Sequence, residues 1–212
     1  MLLRLDHVIY SVPDIEAAHA ALTANFPEAW PIGRFWPSGR TCGIALGGIN
    51  LELVQPDADA PSTRVGTTLV FEPSSPEVAE FALKRQGIAC HSFDKIEPNP
   101  ELLRLRGFSG EEARMPQLIC TNILLDKPAE TPFDFFCCSY SPFLEGWLSP
   151  DHPRLRMARR VTRVVYGTPQ PERATSLLAN LDYAGEIGIE FRRAEQPAIL
   201  AIDMSDGPLS WP

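Results

Sequence analysis

A histidine and a glutamate stand out because each interrupts an apolar run. His7 lies within Leu5-Asp6-His7-Val8-Ile9, and Glu52 within Ile49-Asn50-Leu51-Glu52-Leu53-Val54. Alternation along an extended chain puts Glu52 on the opposite face from Leu51 and Leu53. A carboxylate buried in such a setting needs a partner. An imidazole and a carboxylate brought together can move protons, or can form half of a divalent-metal centre. Alone, such a pair is usually structural, so its meaning depends on the elements that carry it.

Those elements repeat. Residues 5–22, 66–83 and 162–178 align without gaps, each as an apolar strand, a turn rich in Pro, Ser or Asp, and an amphipathic helix. Tyr10, Phe71 and Tyr166 share one column, as do Glu16, Glu77 and Glu172. Ala18, Ala79 and Ala174 share another, and Leu22, Leu83 and Leu178 close the set. Asp14, or a Ser or Pro at the turn, starts each helix. After the first helix the pattern predicts strands near 33–36, 41–46 and 50–54, with Gly47-Gly48 as a hairpin turn. After the second it predicts strands over 88–93, 118–125 and 133–139, with a polar stretch up to Arg114 in between. After the third come strands over 187–192 and 198–204. The expected fold class is therefore α+β. Two βαβββ modules (1–57 and 65–141) share one curved mixed sheet around a cleft. A connecting segment (142–158) then leads to a partial third βαββ unit (159–212).

Paired βαβββ units of this kind resemble the vicinal oxygen chelate superfamily, the fold of glyoxalase I, the extradiol dioxygenases and the bleomycin-resistance proteins. The opening LDHVIYSVPDIEAA resembles the superfamily's first strand and turn, and INLELVQP resembles its fourth strand. FDFF at 133–136, Asp151-His152-Pro153 and the unit at 163–178 follow in the order of its glyoxalase-like domain subgroup. The resemblance implies a divalent ion (Fe, Mn, Ni or Zn) held in the cleft by His7 and Glu52, with His152 or Asp134 completing the set. The ion would bind two vicinal oxygens of a small substrate and stabilise an enolate or catecholate. Glu52 could instead serve as a general base. The expected activity is that of a lyase, isomerase or dioxygenase.

The second half of such a site is weak in the sequence. The repeat carries His7 onto Thr68 and Arg163, neither a good ligand, while Asp203 is a further carboxylate in the last strand. This favours a rival expectation of the same fold: a small-molecule binding or resistance-type protein with a degenerate metal site. A partner-binding structural subunit is the weaker third. Arg34, Arg40 and Trp36 in the GRFWPSGR loop, and Arg114 with Arg104 and Arg106, are candidates to hold a substrate carboxylate or line the cleft. Phe71, Phe135, Phe136 and Trp147 are aromatic candidates of the same kind, although strand aromatics more commonly serve the core. His19 and His91 read as structural.

Composition narrows the classes. The 212 residues carry a net charge of −8, a poor match to nucleic acid. No run of apolar residues is long enough for a transmembrane helix. Asp6 interrupts the N-terminal apolar stretch, so a cytoplasmic chain is expected, with a small-molecule ligand and room for a homodimer. The five cysteines are odd in number and lack a CxxC spacing, which points to reduced thiols. Cys137 and Cys138 should face opposite sides of a strand. No GxGxxG, GxSxG or HExxH motif is present. The 21 prolines are about twice the usual share and fall at element boundaries, as a fold of short elements requires.

Overall fold

The computed structural model describes residues 2–26, 29–34, 39–57, 67–105, 108–141 and 160–209. The first module runs β1 (Leu2–Ser11), α1 (Ile15–Asn25), β2 (Trp30–Arg34), β3 (Arg40–Ala45) and β4 (Asn50–Gln55). The second runs β5 (Thr67–Pro73), α2 (Pro76–Arg85), β6 (Cys90–Glu97), α3 (Pro100–Leu105), β7 (Gln117–Leu125) and β8 (Phe135–Tyr140). The third unit contains β9 (Val161–Thr168), α4 (Pro171–Asn180), β10 (Gly188–Arg193), β11 (Ala198–Met204) and a two-residue β12 (Gly207–Pro208). The expected modules are present. Strand β6 runs on to Glu97, and β12 extends the third unit beyond the four expected elements. The segment 142–158 lies outside the described residues.

Turn chemistry fixes the helix starts. Asp14 accepts from the Ala17 amide at 3.0 Å, and Ser75 from the Val78 amide at 3.2 Å. Proline opens α2 and α4, where no donor is lost. Gly47 and Gly48 both take positive φ, which closes the tight β3–β4 hairpin. Gly43 serves a different purpose. A Cβ there would collide with the Trp30 ring and the Leu51 carbonyl, so only glycine lets Trp30 lie across β3.

Both modules form one eight-stranded sheet in the order β2-β3-β4-β1-β5-β8-β7-β6. β1 and β5 lie antiparallel at its centre, and each runs parallel to the last strand of its own module. Leu5, Val8, Leu51, Leu53, Leu69, Phe71, Phe135 and Cys137 share a core with Ile15 and Leu22 of α1 and with Ala79 and Leu83 of α2. Ile9, Val54, Val70, Phe136 and Cys138 form a second apolar cluster. Cys137 and Cys138 thus fall in different clusters, as alternation requires, and all five cysteines are free thiols. The stretch after β6 is not merely polar: Leu103, Phe108 and Ala113 are buried in the second cluster and cover that face.

The third unit forms a four-stranded sheet, β10-β9-β11-β12, and adds Val164, Tyr166 and Ala174 to the first core. Buried Tyr166 is its main polar anchor. The hydroxyl donates to the Thr67 carbonyl at 2.8 Å and accepts from the Asp134 amide at 3.2 Å. Tyr166→Phe should leave two buried backbone groups unpaired at a cost of about 1–3 kcal/mol. The expected outcome is a Tm lowered by several degrees with an unchanged far-UV spectrum. An unchanged Tm would show that the third unit is not anchored there.

Candidate functional site

Strand β1 brings two consecutive polar side chains to one face. In the β1–β5 ladder Leu5 is opposite Phe71 and His7 opposite Val70, so Asp6 is an extra, bulged residue. A bulge turns neighbouring side chains toward the same side of the sheet. Asp6 Oδ2 therefore reaches His7 Nδ1 at 2.6 Å. The His7 ring meets Phe136 edge-on, with centroids 6.1 Å apart.

Asp6 is 2% exposed and is held by three groups. The Arg4 guanidinium donates to Oδ1 at 3.0 Å, and the Tyr140 hydroxyl and His7 Nδ1 both donate to Oδ2 at 2.6 Å. Arg4 is itself paired through Nε with Glu72 on β5. Burial pushes the Asp6 carboxyl upward, but the His7 hydrogen bond and the neighbouring charges of His7 and Arg4 outweigh it and hold it below its ordinary value. An ionised carboxylate only accepts, so Nδ1 of His7 carries the hydrogen. Burial lowers the His7 pKa, yet the bond to Asp6 and the charges of Asp6 and Glu52 raise it overall. Burial and the Asp6 charge push the Tyr140 phenol well up, so it stays a donor.

The other ring nitrogen faces Glu52. Nε2 and Glu52 Oε2 are 3.6 Å apart, longer than a hydrogen bond, so the two face each other without bonding directly. Glu52 Oε1 accepts from Thr41 on β3 at 2.8 Å, which fixes the carboxylate plane. His7 is 12% and Glu52 22% exposed, partly open to solvent.

The second module does not supply the matching half of a metal centre. Backbone register makes the comparison direct. Asn50 and Glu52 on β4 stand opposite His7 and Ile9 on β1. In the second module Thr68 takes the place of His7, and Phe136, opposite Val70, takes the place of Glu52. The Thr68 hydroxyl donates to Asp134 Oδ2 at 2.6 Å. Asp134 thus occupies the station of Asn50, two residues short of the position at which it would match Glu52. Among the described residues no group of three or more His, Cys, Asp or Glu side chains is arranged to hold a metal ion. Of the donor set that the resemblance implies, these residues supply only the first-module half, His7 and Glu52.

The third unit repeats the same register with different chemistry. Glu190 is opposite Val165 just as Glu52 is opposite Ile9, and Arg163 stands where His7 does. Arg163 bonds Glu190 at 2.6 Å and Asp203 at 2.6 Å, so Asp203 belongs to an exposed ion-pair cluster.

The remaining sequence candidates are scattered. Arg40 turns toward α1 and pairs with Glu16, because Thr41 next to it is the residue that faces Glu52. Arg34 ends β2 opposite Arg40. Arg104 and Arg114 are exposed, while Leu103 and Ala113 beside them are buried. Phe71 and Phe135 belong to the helix-side core, and of the described aromatic candidates Phe136 packs against His7. His91 is exposed and pairs with Asp126. Trp36, Arg106, Trp147 and His152 lie outside the described residues. Asp6, Arg4 and Tyr140 are absent from the sequence candidates, although an acidic residue in the middle of an apolar strand was a visible signal. Two surface depressions, of about 480 and 230 Å³, are lined by residues around α2 and α4 and do not include His7 or Glu52.

No family model matches the sequence, and no curated protein does. Solved structures do match. A hypothetical protein from Staphylococcus aureus superimposes over 96% of this chain and 91% of its own, with a TM-score of 0.67 at 6% identity. Methylmalonyl-CoA epimerase from Streptomyces coelicolor covers 68% of this chain and 98% of its own, with a TM-score of 0.44 at 12% identity. The Mycobacterium tuberculosis epimerase covers 68% and 91%, with a TM-score of 0.46 at 13% identity. Overlaps this loose say nothing about chemistry. At the level of fold the chain has a paired βαβββ architecture extended by a third unit, and it shares its overall fold with the Staphylococcus aureus protein. No described helix is long and apolar enough to cross a membrane.

The electrostatics predict a pH window. A raised His7 pKa contributes stability that is complete below its ordinary 6.5 and lost as pH rises through the folded value. A lowered Asp6 pKa contributes stability present above 3.8 and lost as pH falls through its folded value. Both contributions are complete only between these two ordinary values. Urea unfolding across pH should show a maximum there, and Asp6→Asn should flatten it while moving the His7 titration, followed by NMR, downward. An unchanged His7 titration in Asp6→Asn would refute the assignment.

Proposed function

We propose that this protein is a small-molecule enzyme of the glyoxalase type, an isomerase or lyase whose reactive centre is the His7–Glu52 pair. The supporting observation is the convergence of His7 Nε2 and Glu52 Oε2 at 3.6 Å, each held from behind, by Asp6 and by Thr41. At this separation the pair presents a donor and an acceptor that neighbouring atoms of a substrate could bridge. The apolar residues Ile9, Val54, Val70 and Phe136 on the same face provide low-dielectric walls that strengthen such contacts. The substrate class is a small carbonyl compound with an oxygen on the adjacent carbon.

One observation favours the rival. Phe136 in the place of a second-module carboxylate would equally suit a protein that binds such compounds without converting them. Proton exchange separates the two. Incubation with small α-hydroxy and α-keto carbonyl compounds in D2O should give deuterium incorporation at the carbon beside the carbonyl, read by NMR. His7→Ala and Glu52→Gln should each slow it by about 10²–10⁴-fold, the usual worth of a general acid or base. Compounds that bind but never exchange would establish the binding protein instead.

A further inference from the structure

We infer that two copies of this chain associate through the third unit, the outer edge of β10 pairing antiparallel with β10 of a second copy about a two-fold axis at Phe191. The two full modules show what the third unit lacks. The last strand of each, β4 or β8, runs parallel to the first strand of its module. On its other side it pairs with an antiparallel strand, β3 or β7. β10 takes the same place in the third unit, parallel to β9, yet it ends the four-stranded sheet. Among the described residues no strand lies beyond it. In the modules the helix packs on that outer strand too, α1 on β3 and α2 on β7, and α4 already lies against β10. An antiparallel strand added at β10 therefore completes the pattern that each module makes from its own chain. An edge that turns amides and carbonyls outward is a template for such an addition.

Backbone phase and charge together select the register. The Ala194 amide donates to the Thr168 carbonyl at 3.1 Å. In a parallel pair alternate residues direct both backbone groups to the same neighbour. Glu190 and Arg192 share the phase of Ala194 and turn to β9, whereas Ile189, Phe191 and Arg193 turn outward. An antiparallel partner must oppose outward residues to outward residues, so a two-fold register is centred on a residue. Glu190 and Arg192 lie on one face, bonded to each other at 2.6 Å. With the axis at Phe191, each Glu190 stands opposite Arg192 of the other copy. An axis at residue 190 or 192 would instead oppose two glutamates or two arginines, which is destabilising. On the other face Phe191 lies against Phe133 with centroids 4.8 Å apart, and the two copies of Phe191 meet as a cross-strand aromatic pair. One patch that complements itself makes a closed contact, so association stops at two copies. The two third units then share one continuous sheet.

Sedimentation of the full chain in the micromolar range tests the association. The wild type should run as a dimer, at twice the 23.5 kDa of one chain. Glu190→Arg and Arg192→Glu, each made alone, oppose like charges across the axis and should each weaken dimerisation by about tenfold. Mixing the two single variants restores opposite charges at every pair, so the mixture should dimerise like the wild type. A wild type that stays at 23.5 kDa overturns the inference. So does a dimer that neither variant weakens, or a mixture of folded variants that is no tighter than either alone. Amide hydrogen exchange on the wild type decides the matter without any variant. The amides of Ile189, Phe191 and Arg193 should gain protection as protein concentration rises. Protection of these amides in a monomer would mean that the chain covers its own edge, and their free exchange in a dimer would mean that another surface joins the copies. Either result rejects the β10 contact.

Discussion

The buried carboxylate of Asp6 is the interaction on which the site depends. It sits in the central strand of an eight-stranded sheet, where an unpaired charge would be costly. It is tolerated because three donors converge on it, from Arg4, His7 and Tyr140. That convergence is also what orients the His7 ring. Removing any one partner leaves the others aimed at a charge with fewer bonds, so the group behaves as a unit rather than as separate contacts. The bulge between Leu5 and His7 makes the arrangement possible, since regular alternation would put Asp6 and His7 on opposite faces of the sheet.

The three units show how one backbone register can carry different chemistry. The first strand of each unit pairs in parallel with a later strand of that unit, and one position on each recurs. In the first module it holds His7 and Glu52, which stop short of bonding. In the second it holds Thr68 and Phe136, where Thr68 turns to Asp134 and the ring closes on His7. In the third it holds Arg163 and Glu190, which bond directly on an exposed surface. The fold supplies the stations, while the side chains decide whether a station is left unbonded, filled or neutralised.

Much of the architecture was legible because it rests on local rules. Strand–turn–helix repeats, the Gly47-Gly48 hairpin, the helix starts at Asp14 and Ser75, and the opposite facing of Cys137 and Cys138 all follow from periodicity and turn chemistry. The face of Glu52 was legible for the same reason. The strand pairing that sets Asp134 short of a match with Glu52 was not, because register between strands distant in sequence depends on the whole sheet. Nor was the burial of Leu103, Phe108 and Ala113 over the cleft face, since a stretch rich in arginine shows its charges more plainly than its few apolar anchors.

The sequence by itself determined the element types, the repeat and the face that Glu52 takes, because these depend on side-chain pattern within a few positions. Only the tertiary structure decided that Asp6 faces the same way as His7, because a bulge exists only between paired strands. Only it joined Asp6 to Tyr140, 134 residues away, and set Phe136 where a second carboxylate would stand. Hydrogen bonds and ring contacts act over a few ångströms, and which distant residues come that close is fixed by the closing of the sheet.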